Sequence, residues 1–288
     1  MPSTNASHVD QADHFARDRD ERPVAWREAG PTDGELVVLL HGLGGSRIAW
    51  EPQLASLSTA GYRAAAWDMP GYGASARPRA WTFDALAGAA ATWITGFGRG
   101  PAHVVGLSMG GMVALHLALA QPALIRSLVL CDTSPAFGFD GATNAETWVA
   151  TRLAPIRAGA TPASIAAGVI GSIMAPGATA VGEASAAMAR IGPDAFEGAV
   201  RCVPSHDVRE RLSEIAAPTL VVVGELDRET PPSYARHLAD HIAASRYVEI
   251  AGAAHISNLE RPAQFDAAVL DFLGKVATPP AGSESAGA

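Results

Sequence analysis

Short apolar runs bounded by turn residues recur along the chain, with longer mixed segments between them. Leu36-Val37-Val38-Leu39-Leu40, Ala102 to Leu107, Leu128-Val129-Leu130-Cys131 and Leu220-Val221-Val222-Val223 are too short for independent helices. Their near-continuous apolar character is that of strands buried on both faces of a parallel sheet. Tyr62 to Trp67 and Tyr247 to Ile250 read as further strands. The intervening windows predict helices over Thr82 to Gly96, Met109 to Ala120, a segment opened by Pro231-Pro232, and Pro262 to Val276. Such alternation predicts an α/β fold with a mostly parallel, doubly wound sheet and right-handed crossovers. Val24 to Glu28 and Leu36 to Leu40, separated by the turn-rich Gly30-Pro31-Thr32-Asp33-Gly34, predict an antiparallel hairpin at its edge.

Between Asp132 and about Leu212 the strand pattern gives way to Ala-rich helical windows broken by Gly and Pro. A helical cap over residues 136–212 is therefore expected, inserted into a core made of 23–135 and 213–276. Residues 1–22 and 277–288 lack apolar periodicity and read as flexible tails. A chain of 288 residues is long enough for one large core with one such lobe.

The first candidate for chemistry sits between strand and helix, at Gly106-Leu107-Ser108-Met109-Gly110. This G-x-S-x-G spacing suits a sharp turn that lifts the serine clear of the sheet, with glycines where side chains would collide with the neighbouring backbone. A nucleophilic serine needs a base and a group that orients the base. Asp227 follows the strand Leu220 to Val223, and His255 follows Tyr247 to Ile250. Both fall at the C-terminal edge of the sheet, where open α/β sheets place their ligands. Ser108, Asp227 and His255 are the candidate catalytic residues. Glu225, Glu229 and Asp132 compete for the acid position, and Asp132 ranks second, with a structural role at its strand end preferred.

The strand Leu36 to Leu40 runs into His41-Gly42-Leu43-Gly44-Gly45. Backbone N–H groups of Leu43 and Met109 are the expected oxyanion hole. Glycine-rich loops also cradle phosphates, yet neither G-x-G-x-x-G nor G-K-[ST] is present. His41 is expected to brace the loop rather than move a proton.

Composition narrows the classes further. The chain is 48% hydrophobic and 17% charged, as in a soluble globular protein, and its net charge of −8 disfavours a nucleic-acid surface. No uninterrupted apolar stretch reaches the ~20 residues of a membrane span, and no secretory signal is visible at the N-terminus. Cys131 and Cys202 are the only cysteines, without metal-ligand spacing. A cytoplasmic location, no metal and no cofactor are the expectations, with oligomeric state left open.

Together these residues resemble the α/β-hydrolase superfamily over nearly the whole chain. The resemblance is carried by His41-Gly42, Asp68-Met69-Pro70-Gly71-Tyr72-Gly73-Ala74-Ser75, the Ser108 elbow, Gly224-Glu225-Leu226-Asp227 and His255. Three regions are most similar to the 3-oxoadipate enol-lactonases: Gly106 to Gly111 with Leu128 to Ser134, Arg201-Cys202 through Asp207-Val208-Arg209, and Ala254 to Pro262. That resemblance implies an α/β-hydrolase fold and hydrolysis of a carboxylic ester or lactone through an acyl-enzyme. It further implies that Trp148 and Arg152 face the pocket, with Arg152 pairing a substrate carboxylate. The oxyanion loop and the cap segment Ile170 to Pro176 depart from the lactonase pattern. Carbon-carbon bond hydrolysis of a ring-cleavage product is the alternative, and a cap-gated ligand sensor is the non-enzymatic one.

Overall fold

Leu36–Leu40 is buried at every residue, and the strand it forms, β3, is paired along both edges. The computed structural model describes residues 11–17, 22–141 and 143–276. Its eight strands are β1 (Ala12–Arg17), β2 (Pro23–Ala29), β3, β4 (Arg63–Trp67), β5 (Ala102–Leu107), β6 (Ile125–Cys131), β7 (Thr219–Gly224) and β8 (Ser245–Ile250). They form one sheet in the order β1-β2-β4-β3-β5-β6-β7-β8. Strands β4 to β8 with β3 are parallel, and β1 and β2 run antiparallel at one edge.

Strands buried on both faces need cover on both faces. It comes from helices α1 (Glu51–Thr59), α2 (Phe83–Gly96), α3 (Met109–Ala120), α8 (Pro232–His241), α9 (Ser257–Glu260) and α10 (Pro262–Leu273). Helix α2 packs on α3, α1 on α10, and α8 on β7 and β8. This is the mostly parallel, doubly wound sheet expected from the alternation of strands and helices.

Two expectations are corrected. Residues 12–17 are a strand rather than part of a tail: β1 pairs with β2, placing His14 opposite Trp26 with the rings stacked at 5.3 Å. Its composition hid it, because Ala12-Asp13-His14-Phe15-Ala16-Arg17 is an exposed edge without an apolar face. Ion pairs hold it instead: Asp13 accepts from Arg27 at 2.8 Å and from Arg47 at 3.0 Å. Those two guanidiniums hold the Asp13 carboxyl well below the usual carboxylate range. Residues 1–10 and 18–21 of the expected N-terminal tail, and all of 277–288, lie outside the described residues.

The second correction concerns the hairpin, since β2 pairs with β4 and β1 and not with β3. A fully buried strand such as β3 needs a buried neighbour on each edge, and β4 and β5 fill both. The half-exposed β2 is displaced to the outside.

Between β6 and β7 the described residues form four α-helices, α4 (Ala145–Arg157), α5 (Pro162–Ile173), α6 (Val181–Met188) and α7 (Pro193–Cys202). Side-chain caps begin two of them: Asn144 accepts from the Thr147 N–H, and Thr161 and Ser164 form a reciprocal capping box. The outgoing and returning chains meet in an antiparallel bridge between Ala136 and Asp207. Phe137 donates to the His206 carbonyl and Val208 to the Pro135 carbonyl, both at 2.9 Å. Buried His206 donates from Nε2 to the Ser134 carbonyl at 2.9 Å, and burial lowers its pKa to about 4, so it stays neutral there.

Candidate active site

Ser108 joins β5 to α3 with φ 52°, a conformation that L-residues rarely adopt and that costs about 1–3 kcal/mol. The surroundings hold it there. Its N–H donates to the Cys131 carbonyl at 2.8 Å, and its carbonyl accepts from Met112 N and Thr133 Oγ1. A Cβ on Gly110 would lie 2.0 Å from the Leu40 carbonyl oxygen, and one on Gly106 2.5 Å from that of Gly110. Only glycine lets the helix start this close to β3 and β5.

His255 Nε2 lies 2.9 Å from Ser108 Oγ, and its Nδ1 lies 2.9 Å from Asp227 Oδ2. A neutral imidazole carrying its proton on Nδ1 satisfies both contacts, donating to the carboxylate and accepting from the hydroxyl. Asp227 is itself fixed: Oδ1 accepts from the Glu229 and Thr230 N–H groups at 2.8 and 3.1 Å, and Oδ2 from Thr230 Oγ1 at 2.8 Å. Burial works against both charges, but each partner sustains the other. Asp227 is held below the ordinary carboxylate range by the imidazole. The His255 imidazole, which burial alone would push down, is raised to about 9 by the Asp227 charge and hydrogen bond, with Asp132 and Glu229 adding to it.

Asp132, the second-ranked acid, is fully buried at the end of β6 with φ 44°. Its Oδ1 accepts from Gly224 N, and its Oδ2 from Ser257. Burial and the nearby Asp227 charge raise its pKa to about 7. It ties strand ends together and makes no hydrogen bond to the imidazole among the described residues. His41 does brace its loop, donating from Nδ1 to the Gly42 carbonyl and accepting the Met69 N–H at Nε2.

Ser108, Met109, Leu43 and His255 line one cavity of about 180 Å3 between the sheet edge and the helices α4 to α7. Leu43 and Met109, whose N–H groups are the expected oxyanion hole, both line this cavity with the serine. Trp148 and Arg152 stand on the same wall, with the guanidinium 4.0 Å from the Trp148 ring centre. Arg152 Nη2 is 2.6 Å from Glu229 Oε2.

One group escaped the sequence reading. Buried Glu260 accepts at Oε1 from the N–H of Ala254 and of Ile256, the two residues flanking His255, and at Oε2 from Ala175 N beyond α5. The only signal in the sequence was an acid five residues past the histidine, in a segment otherwise apolar or neutral. Both cysteines are buried and unpaired, with thiol pKa values raised by burial. Among the described residues no cluster of His, Cys, Asp or Glu is arranged to hold a metal, and no helix is long and apolar enough to cross a membrane.

The family model of the alpha/beta hydrolases matches residues 37–268. The chain belongs to the alpha/beta hydrolase family. It is 31% identical to a pimeloyl-[acyl-carrier protein] methyl ester esterase of Neisseria meningitidis over 86% of this chain and 96% of that one. A hydrolase from Pseudomonas aeruginosa superposes with a TM-score of 0.81 at 30% identity, covering 94% of this α/β hydrolase and all of its own chain. The enol-lactonase of Burkholderia xenovorans does so with a TM-score of 0.81 at 26% identity, over 91% and 100% of the two chains. The chain is thus an α/β-hydrolase enzyme.

Proposed function

We propose that the enzyme hydrolyses a carboxylic ester or lactone by a Ser108-His255-Asp227 triad. His255 takes the proton from Ser108 as Oγ attacks the carbonyl carbon, and Asp227 holds the tautomer and stabilises the imidazolium. The N–H groups of Leu43 and Met109 receive the oxyanion. As the tetrahedral adduct collapses, His255 returns the proton to the leaving oxygen. Water, deprotonated by the same imidazole, then cleaves the acyl-enzyme and restores Ser108. The helices α4 to α7 act as a cap that shields this step from bulk water.

The observation that carries the reading is the unbroken pair of 2.9 Å contacts from Ser108 through His255 to Asp227 on a cavity wall. The enol-lactonase likeness makes 3-oxoadipate enol-lactone, and with it a role in aromatic catabolism, the first specific substrate to test. Release of p-nitrophenol from a short-chain ester, with that lactone in parallel, is to be compared for the native enzyme and Ser108→Ala. Turnover lost in the variant supports the mechanism; turnover unchanged sinks it.

A further inference from the structure

Arg152 and Glu229 are the only Arg, Lys, Asp or Glu side chains among the described residues lining the cavity. An arginine in a pocket ordinarily signals an anionic ligand, since its fork matches a carboxylate. Here that partner is already present. Glu229 occupies Arg152 at 2.6 Å, and the guanidinium face is covered by Trp148 at 4.0 Å. Burial works against the Arg152 charge, and Glu229 offsets this.

Glu229 is also fixed where it stands by its backbone. Its N–H donates to Asp227 Oδ1 at 2.8 Å, so its main chain cannot retreat without loosening the acid that holds His255. A carboxylate brought to Arg152 would therefore meet the Glu229 charge. The rest of the wall, including Met112, Ile170, Ile173, Met188, Phe196 and Leu259, is apolar.

We propose that the Arg152–Glu229 pair is a specificity device that excludes negatively charged acyl groups, so that this site works on uncharged acyl chains. The inference rests on Ser108 being the nucleophile that the acyl group must reach. It departs from the resemblance, which implied that Arg152 receives a substrate carboxylate, and it makes the carboxylated 3-oxoadipate enol-lactone a poor substrate beside an uncharged ester. Arg152 instead satisfies an internal carboxylate, and the pair brings no net positive charge to the cavity wall.

The test uses p-nitrophenyl pentanoate and mono-p-nitrophenyl glutarate, which match in length and differ by a methyl against a carboxylate. For the native enzyme, kcat/KM is expected to favour the pentanoate by about tenfold or more, the size of a partly screened like-charge penalty at the cavity wall. Glu229→Gln keeps a hydrogen-bond acceptor for Arg152, removes the charge, and is expected to move the ratio about tenfold towards the glutarate. Arg152→Met, which leaves Glu229 uncompensated, is expected to move it the other way. A native preference for the glutarate, or a ratio untouched by both variants, overturns the proposal. Binding of the two esters to Ser108→Ala, with and without Glu229→Gln, reads selectivity without chemistry. The nucleophile reading fails separately, if turnover survives in Ser108→Ala; if the native enzyme cleaves neither ester, the charge preference in binding to Ser108→Ala decides the proposal, tighter pentanoate binding supporting it and tighter or equal glutarate binding overturning it.

Discussion

Asp132 and Ser257 are joined twice, the backbone N–H and the hydroxyl of Ser257 donating to the same carboxylate oxygen at 3.0 and 2.7 Å. With Gly224 N on the other oxygen, this carboxyl group links the end of β6 to the end of β7 and to the turn after His255. Asp132→Asn sets an NH2 against at least one of these donors. A loss of about 1–3 kcal/mol in urea unfolding is expected, with kcat/KM lowered no more than about tenfold. A larger kinetic loss than that of Asp227→Asn would reverse the assignment of the acid.

Asp227→Asn tests the other carboxylate. The amide cannot accept from Nδ1–H and donate there as well, so the imidazole settles in the wrong tautomer. A drop of roughly 10⁴ in kcat is expected by analogy with other triads, with KM changed little. Rate constants within tenfold of native would exclude Asp227 from the mechanism.

The pH dependence follows from the raised pKa of His255. The base must be neutral, so kcat/KM is expected to rise with pH through a midpoint above the ordinary histidine value of about 6.5. The same attraction has the opposite sign in stability. A group bound more tightly to its proton in the folded state stabilises fully below about 6.5 and loses that contribution as pH rises through about 9. Thermal midpoints of the native enzyme and His255→Gln are therefore expected to converge between pH 6 and 9.5. Divergence over that range would contradict the assigned direction.

Glycine substitutions separate close approach from flexibility. Gly110→Ala forces a methyl to 2.0 Å from the Leu40 carbonyl oxygen, and the variant is expected to lose about 3 kcal/mol or more, or to be recovered insoluble. Gly88→Ala on α2 meets nothing within 4 Å and is expected to gain about 0.5–1 kcal/mol. Denaturant midpoints measure both, and equal effects would contradict the packing at the elbow.

Glu260→Gln retains the shape but removes an acceptor from the cradle around His255. A stability loss of about 1–3 kcal/mol is expected, with kcat falling further than KM rises because the imidazole loses its fixed height over Ser108. Unchanged kcat in steady-state kinetics would show that the cradle is dispensable.

Much of this site was legible because glycines, a serine and strand-end polar residues carry local signals. Ser108, Asp227 and His255 each follow a strand, apolar for the first two and mixed for the third, and that placement puts them on one edge. Pairing between charged side chains leaves no such trace. Nothing near Glu229 in sequence points to Arg152, and nothing in residues 12–17 marks a strand whose hold is Asp13 on Arg27 and Arg47. The expected hairpin failed for a related reason: turn residues after β2 specify a reversal, but the edge β3 accepts is decided by β4 and β5, which come later in the chain.

The bridge between Ala136 and Asp207 means that the polypeptide leaves the sheet and returns to it at one point. Pairing of β6 with β7 uses no residue of the excursion between them. The four helices over the cavity are thus a cassette on a fixed socket. Over evolutionary time such a cassette can be refitted to a new acyl group on condition that Ile173 and Ala175, which reach the turn carrying His255, keep their contacts.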